Sequence, residues 1–133
     1  MSSLLDVKNI CKSFDARLAV NNLSLTVEAG EIFCLLGPSG CGKTTMLRML
    51  AGLETPDSGH IIIDGRDMGS VPPAERPVNI MFQNYALFPH LTVAENVGYG
   101  LRREGVHSVA LANRVEELLH LVRLTGFEGR KPE

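Results

Sequence analysis

The chain has 133 residues, 44% of them hydrophobic and 21% charged, with a formal net charge of −2; this is one domain's worth of sequence, long enough to bury a core. That balance excludes a disordered chain, and it gives no net attraction to nucleic acid or to an anionic membrane surface, so no nucleic acid is expected as partner and any membrane association is expected to come through another subunit. No apolar run approaches the ~20 residues of a spanning helix, and the opening MSSLLDVKNI lacks the charged and long apolar regions of a signal peptide, so a cytoplasmic location is expected.

In chain order, the first third reads as β-rich. LLDVKNICKSF and LAVNNLSLTVEAGEIFCLL alternate apolar and polar side chains, and Glu28, Ala29 and Gly30 make a turn before EIFCLL, residues 31–36, which reads as a short buried strand. KTTMLRMLAG then carries Met46, Leu47, Met49 and Leu50, with Leu53 just beyond, in a helical pattern. LETPDSGH (53–60) is dense in turn residues, and IIIDGRD (61–67) is a strand ending in an Asp-Gly turn. After the proline-rich VPPAERP, the apolar run VNIMFQ (78–83) reads as another buried strand. The remainder turns helical. TVAENVGYGLRR opens with Thr92 as N-cap and Glu95 three residues on, a capping box, and HSVALANRVEELLHLVRL carries Val109, Leu111, Val115, Leu118, Leu119 and Val122 at helical spacing.

Between the 31–36 strand and the helix lies G-x-x-x-x-G-K-[ST], filled by Gly37, Pro38, Ser39, Gly40, Cys41, Gly42, Lys43 and Thr44, with Thr45 next in the helix. Backbone N–H groups wrap a phosphate chain only if the loop bends tightly and no side chain blocks the approach, and glycine meets both conditions. The helix that follows directs its unpaired N–H groups and positive dipole end at the same phosphates. Lys43 is expected to reach the β- and γ-phosphates and the Thr44 hydroxyl to ligate Mg²⁺. Without this context the same residues are a glycine-rich turn with a solvated lysine; strand, loop and helix in this order make a phosphate loop. Cys11, Cys34 and Cys41 match no zinc or disulfide spacing, Cys34 being expected to pack in its strand, and His60, His90, His107 and His120 are scattered, so no metal site is expected among them.

GPSGCGKTTMLRMLAGLETPDSGHIIIDG, PPAERPVNIMFQNYALFPHLTVAENV and KSFDARLAVNNLSLTV together resemble the ATP-binding subunits of ABC transporters, in particular those of bacterial binding-protein-dependent importers. RPVNIMFQNYALFPHLTV is most similar to the polyamine (spermidine/putrescine) importer ATPases, with iron, sugar and phosphonate importers as competitors. The resemblance implies an α/β P-loop ATPase core with an N-terminal antiparallel β-subdomain over about 1–83, then the start of a helical subdomain over about 84–133. It implies that Phe14 stacks on adenine, against the alternative of a core phenylalanine at a strand end, and that Gln83 touches Mg²⁺ and the attacking water. Tyr85, Leu87, Phe88 and Leu91 lie in the region that, in this family, meets a helix of the membrane-spanning permease; burial within the domain is the other reading.

The implied cofactors are ATP and Mg²⁺. A second ATPase subunit, the permease and, indirectly, a periplasmic binding protein are the implied partners, at the cytoplasmic face of the bacterial inner membrane. The family continues into a Leu-Ser-Gly-Gly-Gln signature, an acidic Mg²⁺-binding strand, a catalytic glutamate and a switch histidine, none of which has a counterpart in these residues. The chain is therefore expected to be the N-terminal part of such an ATPase, a fragment or a truncated reading frame, without turnover of its own. A non-transport ABC-type ATPase and a nucleotide-binding module without hydrolysis are the alternatives.

Overall fold

A computed structural model describes residues 3–132, and the chain divides into two compact units, Met1–Ile80 and Met81–Glu133. In the first unit, β1 (Ser3–Phe14) and β2 (Arg17–Glu28) form a long antiparallel hairpin. Its turn residues Asp15 and Ala16 both have positive φ, 43° and 64°, a backbone sense that matches the twist of the flanking strands. The other edge of β1 pairs with β3 (Ser58–Ile63), which folds through Asp64 and Gly65 into β4 (Arg66–Asp67), giving an antiparallel sheet of order β2-β1-β3-β4. The Asp-Gly turn expected from the sequence stands where it was placed, with φ of 49° and 73°.

One face of this sheet is covered by α1 (Lys43–Ala51). Val7, Ile10, Val20, Ile61 and Ile63 from the strands pack with Met46 and Met49 of α1 and with Met68 and Val71 further on. Each such side chain contributes roughly 1.5–3 kcal/mol when fully removed from water. The helix stops at Gly52, whose φ of 80° lets its N–H reach the Met49 carbonyl (3.2 Å) while the Leu53 N–H reaches that of Arg48 (2.9 Å), the paired closure in which a left-handed glycine ends a helix. A short 3₁₀ turn, Pro73–Glu75, follows in the proline-rich link.

Two expected strands are corrected. Residues 31–36 and 78–83 are irregular, and Ile32, Leu36 and Met81 are 92%, 91% and 81% exposed. A strand exists through its ladder, and no described residue offers one to either segment. Cys34 accordingly lies exposed rather than packed in a strand, although Leu35 and Val78 still rest against the core.

In the second unit, α2 (Val93–Val97), α3 (Tyr99–Arg103) and α4 (Ser108–Leu121) follow in order. The Thr92 capping box is present: Glu95 N–H donates to Thr92 Oγ1 (3.2 Å) and Thr92 N–H to Glu95 Oε2 (2.7 Å). The helix expected after it is split at Gly98, where a Cβ would stand 3.1 Å from Val115 Cγ2 and 3.3 Å from Leu111 Cδ1; a side chain there would need α4 to give by a few tenths of an ångström. On α4, Val115 and Leu119 are buried, whereas Val109 and Val122, expected on the same apolar face, are 72% and 59% exposed because they fall at the helix ends. No described helix is long and apolar enough to cross a membrane.

Candidate functional site: the phosphate loop and its surroundings

Gly42 is the N-cap of α1, with φ 92° and no side-chain hydrogen bond closing the helix end. A Cβ on it would stand 2.4 Å from the Ala19 carbonyl oxygen and 3.2 Å from Val20 Cγ2, so the loop is seated directly on β2 and only glycine fits. Gly40 also has positive φ, 79°, but with open space around it. A Cβ on Gly37 would meet Cys41 Sγ at 2.7 Å.

Because the cap supplies no acceptor, the helix start keeps its donors. Among the described residues, no carbonyl or side-chain oxygen accepts from the N–H groups of Thr44 and Thr45, nor from those of Ser39, Gly40 and Gly42 in the loop, whereas the Cys41 N–H turns back to the Pro38 carbonyl (3.3 Å) and the Lys43 N–H faces the Cys41 thiol. Free backbone donors at a helix start, with no side chain in front of them, suit an anion such as a phosphate chain. The Lys43 ammonium stands in the same loop. It donates to the carbonyls of Gly37 and Pro38 (2.8 Å for Pro38) and to Cys41 Sγ (3.2 Å). That bond to sulfur holds the exposed Cys41 thiol below the ordinary thiol range.

Phe14 ends β1 and is 44% exposed as a residue, so it is not a core phenylalanine. Lys12, which pairs with Val20 in the β1–β2 ladder, carries its ammonium 5.2 Å from the Phe14 ring centroid. Since Val20 is also the side chain that Gly42 abuts, the ring lies two residues along β1 from the rung beneath the phosphate loop. Lys12 Nζ is 3.2 Å from both Glu54 Oε1 and Asp57 Oδ1. Its bond to Glu54 raises the lysine's pKa and lowers that of the glutamate; Asp57 is lowered first by the Ser13 N–H and then by Lys12.

Gln83 lies in the second unit, exposed in a turn closed by the Tyr85 N–H on the Phe82 carbonyl (2.9 Å), with Tyr85 and Ala86 at φ 61° and 50°. The apolar segment after it divides. Tyr85 and Leu87 are 69% and 54% exposed, whereas Phe88 is folded under, its ring 4.5 Å from that of Tyr99 and 6.0 Å from that of His90. Asn96 holds that turn: its Oδ1 accepts from the Phe88 N–H (3.0 Å), and its Nδ2 donates to the carbonyls of Phe88, Leu91 and Thr92.

Three residues of consequence went unread in the sequence: Lys12, Asn96 and Arg76. The Arg76 guanidinium donates to the carbonyls of Val71 (3.0 Å), Met49 (2.8 Å), Leu50 (3.0 Å) and Met68 (2.9 Å). An arginine inside the proline-rich VPPAERP was the one available signal, and it does not reveal its partners. No group of His, Cys, Asp and Glu able to hold a metal occurs among the described residues.

Sheet, phosphate-loop motif and helix define the fold as that of an ATP-binding cassette with the start of its helical subdomain. The chain belongs to the ABC transporter family, whose profile matches residues 20–133. It is 52% identical over 132 residues to the putrescine transport ATP-binding protein PotG of Escherichia coli (strain K12), covering 99% of this chain and 35% of that protein. It is 56% identical over 126 residues to the spermidine/putrescine import ATP-binding protein PotA of Rubrobacter xylanophilus, covering 95% and 33%. The chain thus spans about a third of the length of these relatives, the covered shares being 35% and 33%. Among solved structures it is similar to the dimeric post-hydrolysis state of the ATP-binding cassette MJ0796 bound to ADP and Pi, with a TM-score of 0.83 and 30% identity, covering 96% of this chain and 61% of that one. The cassette MJ1267 of an ABC transporter shares the fold at a TM-score of 0.85 and 23% identity, covering 98% and 58%.

Proposed function

We propose that these residues form the nucleotide-binding part of the ATP-hydrolysing subunit of an ABC importer for a small solute, in the polyamine class. The observation that carries the reading is the donor set of the loop: unpaired N–H groups of Ser39, Gly40, Gly42, Thr44 and Thr45, glycines that leave the backbone bare, and the Lys43 ammonium among them. In this reading Gly37 through Thr45 hold the phosphates, and Lys43 exchanges the Gly37 and Pro38 carbonyls for phosphate oxygens. Phe14 offers its exposed ring to the adenine. The Thr44 hydroxyl would hold Mg²⁺, which when bound neutralises part of the phosphate charge.

Polyamine as the solute is supported by the names of the relatives at 52% and 56% identity. Exposure of Tyr85 and Leu87 beside Gln83 supports a permease helix as partner, with a second copy of the ATPase completing the active dimer at the cytoplasmic face of the inner membrane. The strands absent at 31–36 and 78–83 would be completed by sequence outside these residues, where the signature, the acidic strand, the catalytic glutamate and the switch histidine would also lie. Residues 1–133 alone would therefore bind ATP without turning it over, since phosphoryl transfer depends on positioned charges and an oriented nucleophile. Uptake of labelled putrescine and spermidine by proteoliposomes holding the full-length protein and its permease tests the assignment. ATP-dependent import of either supports it, and import of another solute class alone contradicts it. Lys43-dependent multiple turnover by residues 1–133 would contradict the division of labour.

A further inference from the structure

We infer that Lys12, clamped between Glu54 and Asp57, is a positioning residue that fixes the Phe14 ring and leaves one of its faces to receive a nucleobase; this rests on the reading of Phe14 as the base platform. An aromatic residue at a hairpin end, 44% exposed, has little of its own to hold it, and a ring that must be ordered on binding weakens the ligand it stacks with. Here one face is taken. The Lys12 ammonium sits 5.2 Å from the ring centroid, within the range where a cation is drawn to the ring's negative face.

The lysine is itself immobilised. Its side chain is only 13% exposed, with Glu54 and Asp57 each 3.2 Å from its nitrogen. Both carboxylates come from the segment that follows α1, and Asp57 ties that segment to the strand twice more: its Oδ2 accepts the Ser13 N–H at 2.7 Å, and its own N–H donates to the Cys11 carbonyl at 2.9 Å. The backbone on which Phe14 stands is thereby fixed to the connection leaving the phosphate-loop helix. A cation on one face also draws π-density toward itself, which eases stacking of an electron-rich purine on the opposite face. A surface lysine with two surface carboxylates needs none of this; its place over the one exposed aromatic ring of the hairpin end is what gives it a role.

The test measures equilibrium binding of MgATP and of Mg²⁺-tripolyphosphate, which has no base, to the full-length protein and its variants. Lys12→Met is expected to weaken ATP about two- to fivefold, the scale of an exposed cation–π contact, while tripolyphosphate affinity stays unchanged. Lys12→Arg, which can pair with the carboxylates and cover the ring, is expected to restore ATP affinity. In a Phe14→Ala background, Lys12→Met is expected to add nothing. Equal loss of ATP and tripolyphosphate, or full additivity of the two substitutions, overturns the inference. Should Lys12→Met fail to fold, Asp57→Asn takes its place, with the same selective loss of ATP expected and an unselective one overturning the inference. If Phe14→Ala leaves ATP and tripolyphosphate affinities in their original ratio, the base-platform reading itself falls, and the role of Lys12 with it.

Discussion

Arg76 Nη1 donates to the Met49 carbonyl at 2.8 Å, closing the end of α1 opposite the phosphate loop from 27 residues further along the chain. The same guanidinium takes the carbonyls of Leu50, Met68 and Val71, and burial lowers its pKa from the ordinary arginine value without a carboxylate to offset it. Its compensation is the negative end of the helix.

Arg76→Ala is therefore expected to lower stability by about 2–4 kcal/mol, because several half-buried carbonyls lose a charged donor together. Arg76→Lys is expected to recover less than half, since one ammonium cannot reproduce a fork spread over four acceptors. Urea unfolding of the full-length protein and both variants measures the difference.

The two left-handed glycines of the loop separate strain from collision. Gly40→Ala meets nothing within 4 Å and should cost about 1–2 kcal/mol of backbone strain. Gly42→Ala would drive a Cβ to 2.4 Å from the Ala19 carbonyl, displacing the loop from β2, and is expected to abolish detectable nucleotide binding. Calorimetric titration of the two variants, side by side, distinguishes them.

These features were unequally visible beforehand. GPSGCGKT, the Asp64-Gly65 turn and the Thr92–Glu95 box were readable because their chemistry is local: glycine φ, a two-residue turn, partners three residues apart. The segments at 31–36 and 78–83 misled because an apolar run announces burial while a strand needs a neighbour, and pairing is not local. Gly98 was hidden for a similar reason, as the neighbours that crowd it, Val115 and Leu111, lie on α4. Arg76 and Lys12 act on groups 26–27 and 42–45 residues away, distances at which the sequence carries no pattern.

Within the second unit, Asn96 and the exposed apolar pair should give opposite phenotypes. Asn96→Ala removes four hydrogen bonds from the Phe88 turn and is expected to destabilise the protein by about 2–3 kcal/mol. Tyr85→Ser with Leu87→Ser touches side chains already in solvent; it is expected to leave the unfolding midpoint unchanged while reducing transport at least about tenfold, a loss of about 1.4 kcal/mol in coupling. Paired denaturation and uptake measurements decide between docking surface and core.

The capping box makes an acid-side prediction. Hydrogen bonds from the Thr92 N–H and hydroxyl hold the Glu95 carboxyl below the ordinary glutamate value, which is about 4.3. A group depressed on folding adds stability above its unfolded pKa and loses it as the pH falls through the folded one. Glu95→Gln should thus flatten the decline in melting temperature below about pH 4.3 relative to the unsubstituted protein, with little change in slope near neutrality.

Residues 37–45 are proposed to grip the phosphates of a nucleotide, with Lys43 as their one cation. Isothermal titration of MgATP into the full-length protein and into Lys43→Ala tests this most directly, with the unfolding midpoint confirming that both are folded. Loss of one charged hydrogen-bond donor, worth about 1.5–3 kcal/mol, predicts affinity weakened by about ten- to 150-fold. Equal affinities in two folded proteins would contradict it.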